Sequence, residues 1–331
     1  MFKGLKKIMA LLTLSALCLC GCQNDAEIQK DVEETTVRIG SMKGPTTLGL
    51  LSLMDEQEKG TAEGNYEFTM VTAADELLPM VIKGELDIAL VPANVAAVLY
   101  QKTEGQIAVI DINTLGVLYM VSGDSSIANV KDLKGKTIYL TGKGTTPDFV
   151  LQYLLSANGI AVSDVTLEYK SEATEVAVLL AENPDAIGLL PQPFVTVACA
   201  QNEALSVVLD TTAEWKKIQG EDGSSLVTGV TVVRKAFWEE HEGAVANFMA
   251  EHKESAEYAN TNVEQVAALA VEAGIIAKEP IAVKAIPNCN IVYIDGEEMK
   301  QALSGYLEVL YEQSPQSVGG VLPNDDFYYV K

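Results

Sequence analysis

The chain has few of the side chains that carry most enzyme chemistry. Its 331 residues include two histidines, His241 and His252, and five cysteines. Neither a His-Glu-x-x-His, a Gly-x-Ser-x-Gly nor a Cys-x-x-Cys pattern occurs, so the usual signatures of zinc hydrolases, serine hydrolases and dithiol enzymes are missing. Both histidines fall in a charged, helix-like stretch and read most simply as solvated, so no metal site is expected. Phosphate and dinucleotide loops are missing too. The Gly-x-x-x-x-Gly-Lys-[Ser/Thr] pattern is absent, and "GKGTTPDF" has Pro147 where a third glycine belongs. No cofactor and no catalysis are therefore expected. Positive charge is also scarce: 23 Lys and Arg face 46 Asp and Glu, a formal net charge of −23. Nucleic acid and anionic lipid surfaces would repel such a chain.

Long apolar runs are confined to the start. "MFKGLKKIMALLTLSALCLCGC" has a basic beginning and an apolar run from Ile8 to Leu19, shorter than the roughly 20 residues a membrane span needs. It reads as a secretory signal over 1–21. The ending Leu19-Cys20-Gly21-Cys22 resembles the bacterial lipobox, which implies cleavage before Cys22 and a lipid on that residue. Residues 22–36, acidic and poor in large apolar groups, read as a flexible tether. Of the other cysteines, Cys18 and Cys20 belong to the signal. Cys199 and Cys289, in "TVACAQ" and "IPNCNI", read as buried free thiols rather than a disulfide.

Beyond the tether the chain is regular. Strand-like segments alternate with helix-like ones, which predicts parallel pairing and an α/β layer architecture. The order strand, polar loop, helix, strand, loop, helix, strand, proline occurs twice. Its first loop is "SMKGPTT" in one half and "TGKGTTP" in the other, with Lys43 and Lys143 100 positions apart. A loop that ends a parallel strand and opens a helix offers free N–H groups at the positive end of the helix dipole. Glycine allows close approach and threonine adds donors, so such corners gather polar or anionic groups. Asn94 in "VPANVA" and Gln192 in "LPQPFV" mark a third and a fourth corner; capping and turn formation explain them equally well. Asp75 is placed to cap the helix "ELLPMVIKG". Glu172 and Glu175 read as acids that favour a helix N-terminus. From about 236 the pattern changes to long helices, and the tail "DDFYYVK" reads as an edge contact or a lid.

Three segments carry a family resemblance: "VKDLKGKTIYLTGKGTTPDFVLQYLLSANGI" (130–160), "IKGELDIALVPANVA" and "DAIGLLPQPFVTVA". With these the chain resembles, from about 37 to 310, the substrate-binding lipoproteins of ABC importers in the nitrate/sulfonate/taurine and thiamine-precursor branch. The resemblance implies a two-lobed type II periplasmic-binding fold, each lobe a mixed, mostly parallel sheet flanked by helices. Lobe one would comprise 37–118 and 232–331, and lobe two 119–231. Two crossover strands would form the hinge, leaving along "GVLYMVSG" and returning along "TGVTVVRK".

It further implies a monomer, lipid-anchored on the outer face of the membrane, that closes on a small molecule and delivers it to an ABC permease and its ATPase. By position the ligand contacts would be Lys43, Gly44, Pro45, Thr46, Thr47, Asn94, Asn113 and Thr114 from one lobe. The other would supply Gly144, Thr145, Thr146, Glu172, Thr174 and Gln192, with Phe149 or Phe194 as apolar walls. The chain departs from the family where a glutamate often precedes the fourth-corner proline; Gln192 lacks that charge. Lysines and helix starts suit a sulfonate-like anion, whereas Glu172 and the phenylalanines suit a heteroaromatic. An enzyme or a ligand-sensing lipoprotein on the same scaffold is the competing reading, since fold does not fix function.

Overall fold

A computed structural model describes residues 31, 32, 34–220 and 223–330. The expected signal, Cys22 and most of the expected tether lie outside them. The end of the tether is fastened rather than free. Asp31, Val32 and Glu34 are helical and Val32 is buried. The Asp31 carboxylate accepts the Ala244 N–H at 3.0 Å and bonds His241 Nδ1 at 3.0 Å.

Alternating apolar residues form β1 (Thr36–Met42). A single turn, α1 (Pro45–Leu48), and then α2 (Leu51–Lys59) lead to β2 (Asn65–Val71). Helix α3 (Ala74–Ile82) starts at an extended Ala73 with no side-chain cap. Asp75 is thus not the expected cap; it lies in the first turn, where its charge still favours the helix dipole. Next come β3 (Ile88–Pro92), α4 (Ala93–Lys102) and β4 (Ile107–Leu115).

The chain then crosses to a second sheet through Gly116 and Val117. There lie β5 (Leu118–Ser122), β6 (Thr137–Leu140), α5 (Thr146–Ala157), β7 (Thr166–Tyr169) and α6 (Ala173–Glu182). β8 (Ile187–Pro191), α7 (Phe194–Gln201), β9 (Ser206–Asp210) and α8 (Thr211–Gln219) complete it. The return is β10 (Val227–Arg234), every residue of which belongs to the first sheet, so re-entry comes earlier than the expected position 232. The long helix expected from 236 breaks at His241 into α9 (Lys235–Glu240) and α10 (Glu242–Thr261). α11 (Val263–Glu272), α12 (Glu279–Ala285), β11 (Ile291–Ile294) and α13 (Gly296–Gln313) complete the fold.

The sheet orders are β11-β4-β10-β3-β1-β2 and β7-β6-β8-β5-β9. In the first, β1 lies parallel between β2 and β3; in the second, β6 lies parallel between β7 and β8. Beyond each triplet comes an antiparallel strand reached by the crossing chain, β10 beside β3 and β5 beside β8. The sequence repeat is therefore a topological one, and both Lys-Gly loops leave the middle strand of their triplet.

One apolar core runs from the first sheet into the second and includes Val91, Val230, Leu140, Leu189, Trp215 and Tyr306. Tyr153 of α5, Trp215 of α8 and Tyr306 of α13 pack in sequence as tilted rings with centroids 4.5 and 5.5 Å apart, so α13 links the two halves. The aromatic tail is an edge contact: Phe327 is buried, and Tyr329 donates its N–H to Val109 O at 2.9 Å. Among the described residues no helix is long and apolar enough to cross a membrane.

Candidate functional site

The first loop turns on its own backbone. Lys43 N–H donates to Val71 O at 2.8 Å, and Pro45 opens α1. Thr47 is fully buried and its hydroxyl donates to Met42 O at 2.5 Å, so it shapes the turn. Thr46 is half-buried, and its methyl group lies against Gly229 of β10. A Cβ on Gly229 would stand 2.5 Å from both Thr46 Cγ2 and Asn113 Oδ1, so only glycine lets β10 pass beneath this corner. Lys43 is exposed and reaches toward Gly274 at the end of α11, within its own half.

Asn113 and Thr114 lie below Thr46 in a buried relay. Thr114 Oγ1 donates to Asn113 Oδ1 at 2.9 Å, Asn113 Nδ2 to Thr231 Oγ1 at 3.1 Å, and Thr231 Oγ1 to Asp111 Oδ1 at 2.8 Å. His252 Nδ1 lies 3.3 Å from the other Asp111 oxygen, with the ring stacked on Phe248 at 5.3 Å. Neither histidine is solvated as expected, for His252 is fully buried and His241 is engaged by Asp31.

The second loop is closed by its own carboxylate. Gly144, in the left-handed region at φ 72°, donates its N–H to Asp148 Oδ2 at 2.8 Å. Asp148 is buried, and its other oxygen accepts from Tyr169 Oη and Gln152 Nε2, each at 2.7 Å. Burial, and then the Asp148 carboxylate, push the Tyr169 hydroxyl well above the ordinary phenol range, so it stays a donor. Lys143 lies over the Tyr169 ring at 5.4 Å, and exposed Thr145 donates its hydroxyl to Gly142 O at 2.6 Å.

The halves meet one residue further on. Buried Thr146, at the first position of α5, donates its hydroxyl to Asn94 Oδ1 in the first turn of α4 at 3.0 Å. Asn94 Nδ2 donates to Ser317 O at 3.3 Å. A second bridge joins Tyr119 Oη to Asn288 O at 3.1 Å. The remaining expected residues stand apart from this pair. Glu172 and Thr174 are exposed and bonded to each other at 3.1 Å at the start of α6. Phe149 packs against the central core and Phe194 against the core beneath α6 and α7. Gln192 is buried; its Oε1 accepts from Thr196 N and Oγ1 at 3.3 and 2.9 Å.

Thus the structure brings together Thr46, Asn113 and Thr114 within one lobe, and Asn94 with Thr146 across the two. Gly229, Thr231, Tyr119 and Ser317 also take part without having been expected. Only Gly229 left a trace in the sequence, as a lone glycine in the β-branched run "VTGVTVV". Cys199 and Cys289 are free, as expected, and burial pushes the Cys289 thiol up to about 12. Among the described residues no group of three or more His, Cys, Asp and Glu could hold a metal ion.

Comparison with solved structures gives the fold. An ABC transporter protein from Parabacteroides distasonis aligns with a TM-score of 0.76 at 23% identity, over 90% of this chain and 100% of that one. The periplasmic aliphatic sulphonate-binding protein SsuA of Escherichia coli gives 0.70 at 16% identity, over 89% and 92%. The alkanesulfonate-binding protein SsuA of Xanthomonas axonopodis pv. citri, bound to MOPS, gives 0.65 at 15% identity, over 88% and 96%. The chain has the two-lobed α/β type II periplasmic-binding fold that its sequence led us to expect. No curated protein sequence matches it. The NMT1/THI5-like family model matches residues 67–265, from β2 through the whole second lobe to α11, and the chain belongs to that family.

Proposed function

We propose that the protein is an extracytoplasmic solute-binding lipoprotein of an ABC importer, anchored through Cys22. As a monomer it closes two lobes on one small polar molecule and presents the closed form to a permease and its ATPase. The observation that carries this reading is the Thr146–Asn94 bond. It joins the first turns of two helices that come after strands of matched triplets in opposite lobes. Family membership and the sulphonate-binding names of the structural neighbours support it. The residues proposed to meet the ligand are Thr46, Asn94, Asn113, Thr146 and Gln192.

A thermal-shift screen over sulfonates, nitrate, carboxylates, pyrimidines and thiamine precursors tests the proposal, with small-angle scattering to read closure. A ligand that binds only the folded state stabilises by about 2.7 kcal/mol at a hundredfold excess over its Kd. A hit should lose affinity in both Thr46→Ala and Thr146→Val, because its grip is two-sided. A hit that compacts the protein yet ignores both substitutions would remove the basis for the reading.

A further inference from the structure

One margin of the first sheet is left open. β2 ends the order β11-β4-β10-β3-β1-β2, and among the described residues it pairs with β1 alone, in an unbroken parallel register from Asn65 to Val71. The other sheet ends, β11, β7 and β9, are four or five residues long, whereas β2 has seven. Proteins blunt a sheet edge with short strands, lysine, proline or a bulge. β2, "NYEFTMV", has none of these.

Alternation along the strand tells which backbone groups are open. Val71 O accepts from Lys43 N–H, so Val71 faces β1. Successive residues face opposite sides, so Tyr66, Phe68 and Met70 present N–H and C=O to the open edge. Tyr66 agrees with that phase, for its N–H donates to Gln57 Oε1 of α2 at 3.1 Å. Gln57 thus shields the first open position and leaves the next two. Among the described residues no hydrogen bond is made by the N–H of Phe68 or Met70.

The side chains of those two residues line a groove of about 640 Å³ between β2, α2 and the end of α11. Leu51, Met54, Leu269 and Ala273 are its other apolar walls. Its rim is acidic. Asp55, Glu58 and Glu272 stand against Lys59 alone, and Lys59 is bonded to Asp55 at 2.6 Å. Glu58 and Glu272 are exposed, with no cation in ion-pair reach among the described residues. Exposed Glu67 puts another carboxylate on the opposite face of the same strand.

We propose that β2 and this groove form a docking edge for an extended basic segment of another protein. The segment adds to the six-stranded sheet beside β2, its backbone bonding Phe68 and Met70. Its aliphatic side chains fill the groove, and its lysines or arginines meet Glu58, Glu67 and Glu272. A second copy of this chain fits poorly, because it would set the same acids, and a net charge of −23, against each other. Every wall of the groove belongs to lobe one, so this inference goes beyond interlobe capture and does not depend on it.

The test reads fluorescence anisotropy of labelled peptides with the whole protein at physiological salt, which screens attraction to net charge alone. Lys-Val-Lys-Val-Lys-Val-Lys binds saturably; Lys-Gly-Lys-Gly-Lys-Gly-Lys, of equal charge, and Glu-Val-Glu-Val-Glu-Val-Glu do not. Met70→Pro removes one outward N–H, spares the bonds to β1 and leaves the charge unchanged, so it weakens binding about tenfold or more. Glu58→Gln combined with Glu272→Gln weakens it several-fold, whereas Glu297→Gln with Glu298→Gln, at the start of α13, changes it less than about twofold. Should circular dichroism show that Met70→Pro misfolds, the peptide carries the same test. Of two versions, N-methylated on every valine or on every lysine, at least one loses binding, since only one edge of the peptide bonds β2. Equal binding by the glycine peptide, by folded Met70→Pro or by both N-methylated versions would leave only charge attraction and overturn the docking edge. Failure of the wild type to bind the valine peptide would overturn it too. Sedimentation showing a dimeric wild type and a monomeric Met70→Pro would replace the basic partner with a second copy.

Discussion

Asp87 ties three strands of the first sheet, and its removal should be costly in a calculable way. It lies immediately before β3, with its carboxylate fully buried. Oδ2 accepts from Arg38 N–H at 3.0 Å and Arg38 Nε at 2.8 Å; Oδ1 accepts from Arg38 and Arg234 Nη2, each at 2.6 Å. Its backbone bonds Arg38 O of β1 at 2.8 Å and Arg234 N of β10 at 2.9 Å. Breaking a buried ion pair by deleting one partner costs about 3–5 kcal/mol. Here the arginine side chains are 38% and 24% exposed and can turn to water, so Asp87→Ala should cost less, about 2–3 kcal/mol.

The effect has a definite pH dependence. Burial pushes the Asp87 carboxyl up, but the Arg38 and Arg234 hydrogen bonds outweigh it and hold the group below the usual carboxylate range. A depressed folded value gives stability that is full above the unfolded carboxylate value of about 3.9 and fades as pH falls through the folded one. Urea unfolding followed by far-UV circular dichroism should therefore show the full deficit at pH 7 and a shrinking one below pH 4. Equal midpoints for variant and wild type at pH 7, or a deficit unchanged at pH 2.5, would refute the reasoning. Asp87 precedes its strand whereas the candidate corners come after theirs, so affinity for any ligand should be unaffected.

The seam between the lobes yields two further outcomes. In a double-mutant cycle of Asn94→Ala and Thr146→Val, the interlobe hydrogen bond should appear as a coupling of about 1 kcal/mol. Small-angle scattering should show it as a roughly fivefold shift toward the open form, and zero coupling would mean that the bond does not hold the lobes. Gly229→Ala should force Thr46 or Asn113 aside at a cost of about 1–3 kcal/mol in thermal unfolding. It should also weaken ligands that need Thr46, and an unchanged melting temperature would contradict the close approach.

The pairing of the two halves was legible because it is written in local chemistry. Short apolar runs such as "IALVP" and "IGLLP", set between helix-like segments, read as buried strands, and the proline that ends each marks where it turns into a helix. What escaped depended on partners remote in sequence. Val32 stands in an acidic stretch, and only the start of α10 gives Asp31 a backbone N–H to accept, that of Ala244, 213 residues away. His252 looked solvated because its sequence neighbours are charged. Yet it shares a helix face with Val245, Phe248, Ala256 and Ala259, all buried, and that spacing was there to be read. The break at His241 left only Gly243, two residues on, as a signal. Lys143 and Thr145 looked equivalent to residues of the first loop because the letters match. Nothing in those letters indicated that Lys143 would lie over the Tyr169 ring, that Thr145 would bond Gly142 O, or that Asp148 would take the Gly144 N–H.

That occupation bears on what the repeated corner is for. An anion approaching Gly144 N–H would have to displace Asp148, whose two oxygens hold three hydrogen bonds of 2.7–2.8 Å at a site 4% exposed. Expelling it would leave the half-buried Tyr169 hydroxyl without its acceptor as well, and one ligand contact does not offset two lost charge-assisted bonds. The second loop is thus a self-capped turn, and the first is held by Thr47 on Met42 O in a similar spirit. The shared Lys-Gly-Thr lettering serves the same geometric task twice, that of turning a middle strand into a helix. Contact between the lobes passes to the residues these turns carry into position. One is Thr146, opposite Asn94; elsewhere on the seam Tyr119 meets Asn288. A repeat in sequence can therefore mark where two lobes meet while its matching side chains serve the turn, because turn-forming residues spend their hydrogen bonds on the turn.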